Sequence, residues 1–301
     1  DADILVERFR PGTMERWGLG YDALSHINPR LVMVRVSGFG QDGPYKERAG
    51  FGTLAEAMSG FAAMTGQPDG PPTLPPLALA DSVAALFGLS AAMFAVYHRD
   101  VVGAGAGQEI DVSLYEPLFF VLGAQPLWWD QLRYLPERRG NRSAGGGPRN
   151  LYQCADEKWV AVSASAPSIA IRILRLIGGE ALAADPRFAT PEARAANGDE
   201  LDALVADWIR QRPQGAVIRE FAKAEAAIGP VYTTAELLED PQVKARQSVI
   251  SVQDPDLGPI RMQGVFPRLS GTPGRVRFPG ATRPGEHNHE VYVRQLGISE
   301  Q

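Results

Sequence analysis

Short blocks of consecutive apolar residues alternate along this chain with stretches whose apolar positions recur about every three to four residues. Ile4-Leu5-Val6 and Leu31-Val32-Met33-Val34-Arg35-Val36 are blocks of the first kind, and they predict strands over residues 3–8 and 31–36, the first of them buried. Between them Pro11-Gly12 turns the chain, and residues 15–27 keep their apolar side chains on one face, which predicts a short helix. A small-residue amphipathic helix is expected over 52–65, followed by a Pro- and Gly-rich loop over 67–76. The apolar run at 77–97 is interrupted by Asp81, Ser82, Gly88 and Ser90, so it reads as a long buried helix over 81–98 rather than a membrane span. Glycines at 103–107 then turn the chain into a strand over 109–112.

Strand, helix, strand in this order argues for an α/β fold with a parallel sheet. The character of the chain changes over 138–150, where Gly140, Gly145, Gly146 and Gly147 lie among Asn and Arg. Beyond that mobile loop come a strand over 159–162 and mostly helix over 168–228, with breaks at Asp185-Pro186 and Arg212-Pro213. Gly229-Pro230-Val231-Tyr232 leads out into a helix over 234–238, and the tail 249–283 reads as short strands with turns. The expected division is a large domain over 1–137, a smaller α+β domain over 138–228, and a linker with return to the large domain over 229–301.

Composition narrows the function. With 301 residues, 45% apolar and 22% charged, the chain can bury a full core. A net charge of −5 gives no reason to expect nucleic acid, whose general binders are basic. Cys154 is the only cysteine, which excludes an internal disulfide and a thiolate metal site and fits a reducing cytoplasm. His287 and His289 lack a nearby third ligand and read as surface histidines, so no metal is expected. Of the 30 basic residues, 26 are Arg, which reflects either codon usage or a need for forks that grip phosphate and carboxylate.

Gly38-Phe39-Gly40-Gln41-Asp42-Gly43 matches a dinucleotide fingerprint literally, but Pro44, Tyr45 and a charged turn follow where a helix is required. Asp81 offers the more informative chemistry. It opens the predicted helix, so it reads either as an N-cap or as an ionised carboxylate poised to attack a thioester; the two roles are compatible.

Several ordered stretches carry a resemblance. They are Asp3-Ile4-Leu5-Val6-Glu7-Arg8-Phe9-Arg10-Pro11-Gly12, Trp17-Gly18-Leu19-Gly20-Tyr21, Asn28-Pro29-Arg30-Leu31-Val32, and Ser37 through Gly43 with Pro44-Tyr45. Ala57-Met58-Ser59-Gly60, Gly107-Gln108-Glu109-Ile110-Asp111-Val112-Ser113-Leu114 and Gly285-Glu286-His287-Asn288 complete the set. Together they closely resemble the family III CoA-transferases, the group of formyl-CoA transferase, carnitine CoA-transferase and the α-methylacyl-CoA racemases.

The resemblance implies an open Rossmann-like parallel sheet domain that binds coenzyme A, a smaller α+β domain, and interlaced-ring homodimers. It also implies that the family's first strand, glycine turn and helix are missing from the front of this chain. It places the nucleophile at Asp81, the CoA contacts at Arg8, Phe9, Arg10, Arg16, Arg48, Ala49, Gly50 and Phe51, and a loop closing over the acyl group at Gly145, Gly146 and Gly147. Taken singly, each Arg is equally well read as a solvated surface residue. The implied reaction moves CoA from an acyl-CoA donor to a carboxylic acid through an aspartyl anhydride and an aspartyl-CoA thioester. Racemase or isomerase chemistry with another base, or a non-catalytic CoA-binding subunit, are the alternatives. Where the racemase branch has a histidine this chain has Phe51, which cannot carry a proton, and where the formyl-CoA transferase branch has a glutamate it has Gly52, which suggests an acid other than oxalate.

Overall fold

The computed structural model describes residues 2–103, 105–142, 145–164 and 166–299. The chain forms two compact units, Asp1–Arg149 and Asn150–Gln301. This border falls after the glycine-rich stretch rather than at 137/138, and 229–301 groups with the second unit. The physical reason for the later border is a set of bonds within the first unit. The Arg138 guanidinium donates to the carbonyls of Ala63, Gln67 and Gly70, and the Gly140 amide donates to Gly66.

The first unit runs β1 (Ile4–Glu7), α1 (Thr13–Arg16), α2 (Tyr21–Ile27), β2 (Val32–Ser37), α3 (Gly52–Met58), α4 (Phe61–Met64), α5 (Leu79–Tyr97), β3 (Glu109–Ser113), α6 (Tyr115–Val121) and α7 (Gln125–Leu132). The strands form a parallel sheet in the order β1-β2-β3, with Ile4 beside Val32 and Val36 beside Val112, as the strand–helix–strand pattern requires. β1 is not the buried strand expected: it is an edge, and Val6 is 65% exposed. The single helix expected over 15–27 is two helices, because Gly18 sits at φ 69° and breaks the run. Gly60, at φ 94°, divides the expected 52–65 helix in the same way.

Helix α5 packs on the sheet through a stripe of small residues, Ala80, Ala84, Gly88, Ala92 and Ala95. A Cβ at Gly88 would lie 3.7 Å from Val34 and 3.8 Å from Val112, so the helix rests directly on β2 and β3. Its opposite face exposes Leu86, Leu89, Met93 and Phe94, so burial is one-sided. Leu79–Val102 is long and apolar enough by length and composition to cross a membrane. Its small-residue stripe nevertheless lies against the sheet, as in a core helix.

One charged cluster ties the sheet together. Arg35, in the central strand, is 5% exposed and donates to Glu7 at 2.7 Å, Glu15 at 2.6 Å and Glu109 at 2.9 Å. The guanidinium hydrogen bond holds the Glu15 carboxyl below its ordinary range. A lowered carboxylate pKa stabilises the fold above the unfolded value and loses that contribution as pH falls through the folded one. Arg35→Ala leaves the buried Glu7 carboxylate facing two like charges and no cation. It should cost about 3–5 kcal/mol in a denaturation experiment at neutral pH, and a loss below about 1 kcal/mol would mean the cluster is a solvated ornament.

The second unit places β4 (Arg149–Gln153), β5 (Trp159–Ser163) and β6 (Ile228–Pro230) in one sheet, with α8 (Pro167–Ala183), α9 (Pro191–Ala196), α10 (Gly198–Arg210) and α11 (Gln214–Lys223) between β5 and β6. Val160, Ile173, Phe188, Val205, Ile209 and Phe221 are fully buried in its core. α12 (Thr234–Glu239) and α13 (Pro241–Ala245) lead to an antiparallel pair, β7 (Val249–Asp254) and β8 (Gly258–Gln263). Among the described residues these are the short strands of the tail expected over 249–283.

Candidate functional site

After β2 the chain makes a closed loop. A Cβ on Gly38 would lie 2.6 Å from the Cα of Gly50, so only two glycines allow these backbones to touch. Within the loop the Arg48 guanidinium lies 3.6 Å from the centre of the Tyr45 ring. Gln41 donates its amide to Asp111 at 2.7 Å, and Gly40 packs over the same carboxylate. No helix opens on the Gly38–Gly43 pattern; turns follow it, as Pro44 requires.

The loop and the residues after β1 border a half-open cavity of about 110 Å³. Arg8, Phe9, Arg10, Arg48, Ala49, Gly50 and Phe51, all expected at a CoA site, line it together. Arg16 does not; it donates to Thr13 Oγ1 at 2.9 Å. Ser37 and Lys46 also line the cavity and were not singled out from the sequence, although Lys46 was visible in the charged turn after Pro44. Arg8, Arg10, Lys46 and Arg48 are four cations, and among the described residues no acid lines the cavity, so its chemistry favours a polyanion.

Phe51 belongs both to this cavity and to the start of α3, where it is the residue before Gly52. Asp81 meets α3 at that point. A Cβ built on Gly52 would stand 1.8 Å from Asp81 Oδ2, so the carboxylate occupies the space a side chain would fill. Asp81 is exposed on the third residue of α5. Thus the nucleophile expected from the sequence packs on Gly52, whose chain neighbour Phe51 lines the cationic cavity.

Its expected role as a cap is corrected. α5 begins at Leu79, not after Asp81, and its N-cap position is Ala78, which has no capping side chain. The first amides are taken instead by Glu56 of α3. Its Oε1 accepts from Leu79 N at 3.0 Å and from Ala80 N at 3.2 Å. Glu56 is 3% exposed. No local pattern could have revealed this, because the cap lies more than twenty residues away in sequence.

Gly145, Gly146 and Gly147 are not among the lining residues of this cavity. Gly146 is buried at φ 70°, and a Cβ on Gly147 would lie 2.3 Å from the Arg149 amide, so both glycines are required by their own backbone. Among the described residues no group of three or more His, Cys, Asp or Glu is placed to hold a metal ion.

The family model described as CoA-transferase family III matches residues 1–288. The chain is 42% identical over 299 residues to the succinyl-CoA–D-citramalate CoA-transferase of Chloroflexus aurantiacus, covering 99% of this chain and 74% of that protein. It is 35% identical to the beta subunit of the succinyl-CoA–L-malate CoA-transferase from the same organism, covering 100% of this chain and 74% of that protein. The crystal structure of a CAIB/BAIF family protein from Brucella suis superposes with a TM-score of 0.81 at 30% identity, over 97% of this chain and 75% of that one.

Proposed function

The chain belongs to CoA-transferase family III, and on that premise we propose that it moves coenzyme A from succinyl-CoA to a small hydroxydicarboxylic acid, with Asp81 as nucleophile. One observation carries the reading: an exposed carboxylate at the start of a helix packs on Gly52, and Phe51, the residue before it, lines a cavity with four cations and, among the described residues, no acid. The names of the two Chloroflexus relatives support the donor and the class of acceptor. The absence of a side chain at Gly52 is what lets the Asp81 carboxylate pack there.

The phosphates of CoA would lie against Arg8, Arg10, Lys46 and Arg48, whose planar or ammonium heads donate to phosphate oxygens. Asp81 attacks the thioester carbonyl; the C–S bond breaks, leaving an aspartyl-succinyl anhydride and CoA thiolate. The thiolate then attacks the aspartyl carbonyl and expels succinate, giving an aspartyl-CoA thioester. The acceptor carboxylate attacks that carbonyl, regenerating an anhydride and thiolate. Attack of the thiolate on the acceptor's acyl carbon releases the new thioester and frees Asp81. Splitting one exchange into these steps keeps the activated acyl group on the protein and away from water. Gly145, Gly146 and Gly147 would close over the acyl group, with backbone amides for the developing oxyanions.

A cytoplasmic homodimer is part of the proposal. Leu86, Leu89, Met93 and Phe94 on α5, with Phe120 beyond it, leave an apolar face that a second chain would cover. The second reading is a subunit that works with a homologous partner, favoured by the naming of one relative as a beta subunit. Proton exchange at an α-carbon has no support at position 51, since Phe51 holds no titratable group.

The test is incubation with succinyl-CoA and a panel of citramalate, malate, oxalate and acetate, with the thioesters separated by chromatography. New thioesters of the hydroxy acids are expected, with oxalate poor. Transfer to oxalate above all others would overturn the substrate class. No transfer by the chain alone, restored by a homologous partner, would establish the subunit reading.

A further inference from the structure

Helix α3 meets the start of α5 at two points. Gly52 and Glu56 stand four residues apart, so they lie one above the other on one face of α3. At the first, the Asp81 carboxylate fills the empty Cβ space; at the second, the Glu56 carboxylate holds the amides of Leu79 and Ala80. Ala80 is 0% exposed, so water cannot take over the bond to its amide, and Ala78 has nothing to offer it. A carboxylate 3% exposed is costly unless something holds it, and the free amides and positive end of a 19-residue helix do so here.

We propose that Glu56 is the positioning residue of the Asp81 nucleophile: by capping α5 from α3, it fixes the turn from which Asp81 projects. Asp81 follows directly on Ala80, whose amide Glu56 grips, so any loosening of that turn moves the Asp81 Cα and swings the carboxylate off Gly52. Glu56 does not line the cationic cavity, so its effect falls on attack and not on CoA binding. The inference rests on Asp81 being the nucleophile, as proposed above.

The experiment compares wild type, Glu56→Gln and Glu56→Leu in the native enzyme with succinyl-CoA as the probe. Glutamine keeps an acceptor oxygen for both amides; leucine keeps the bulk and offers none. Three quantities are read: kcat and KM, the rate at which CoA becomes bound to the Asp81 peptide, and hydrogen exchange of the amides in 77–82.

Glu56→Leu should lower kcat by about 10²-fold, the cost of a displacement near 1 Å at a reacting group. KM for succinyl-CoA should change by less than about threefold, because uniform binding is untouched. Adduct formation should slow in step with kcat, and exchange over 77–82 should quicken. Glu56→Gln should recover most of both. Unchanged kcat and exchange in a folded Glu56→Leu enzyme would overturn the proposal. So would a parallel decline in CoA affinity and kcat that Glu56→Gln does not rescue, which marks a merely structural role. Should Glu56→Leu fail to fold, Glu56→Gln decides alone: protected amides with near wild-type kcat uphold the proposal, and loosened amides with wild-type kcat refute it. Absence of any Asp81 adduct in wild type would instead refute the nucleophile assignment, a result separable from failure of the cap.

Discussion

Asp81→Asn should abolish CoA transfer, by about 10³-fold or more, in a protein that melts close to wild type. The structure makes this a cleaner experiment than the sequence alone suggests. As an N-cap, Asp81 would contribute about 0.5–2 kcal/mol on its own account, and its replacement would confound chemistry with folding. Glu56 holds the first amides instead, so Asp81 contributes only its charge near the helix start, about 0.3–1 kcal/mol. For units of this size that is a shift of at most about 2–4 °C in Tm, and under about 1 °C at the lower end. Asn keeps the shape and supplies an amide, a far poorer nucleophile toward a thioester. In wild type, succinyl-CoA should leave CoA bound to the peptide that contains Asp81, and hydroxylamine should release it. If Asp81→Asn transfers CoA at a comparable rate and no adduct forms in wild type, the covalent mechanism is wrong.

What the sequence revealed and what it hid differ in range. The runs around Val6, Val34 and Ile110 became strands of one parallel sheet, because short strand-like blocks separated by a helical pattern have few other arrangements. Residues expected at the CoA site, far apart in sequence, converge on one cavity; Arg8 and Arg48 are examples. That convergence follows from β1 and β2 being parallel neighbours whose ends open on the same side. The errors came where one residue decides the backbone. Gly18 and Gly60 each adopt a positive φ that ends a helix whose apolar period continues through it. The exposure of β1 was equally hidden, since an edge strand and a central strand can share the same apolar block. Glu56 was invisible for a different reason. A nonlocal cap has no spacing rule, and a single Glu among small residues reads as the solvated side of an amphipathic helix.

Gly52→Ala separates the pose of Asp81 from its chemistry. The added methyl carbon would stand 1.8 Å from Oδ2 and 2.9 Å from Cγ of Asp81, far inside contact distance, so one of them must yield. The carboxylate is the end of a short side chain, whereas Gly52 is buried at the first position of α3, so the carboxylate yields. Gly52 has no positive φ, so alanine adopts its backbone without strain. Replacing a helical glycine by alanine adds up to about 0.5–1 kcal/mol of stability by restricting the unfolded chain. Melting temperature should therefore hold or rise. Displacing the nucleophile by an ångström or more should meanwhile lower kcat by about 10²-fold. Succinyl-CoA affinity should change little, because the lining ends at Phe51 and the four cations are untouched. Opposite movement of stability and turnover is the signature, since a folding defect lowers both. In the Asp81→Asn background the same substitution should cost no further activity, the non-additivity expected of two changes acting on one group. A Gly52→Ala enzyme with wild-type kcat would mean that Asp81 reacts from a pose other than the one packed on Gly52.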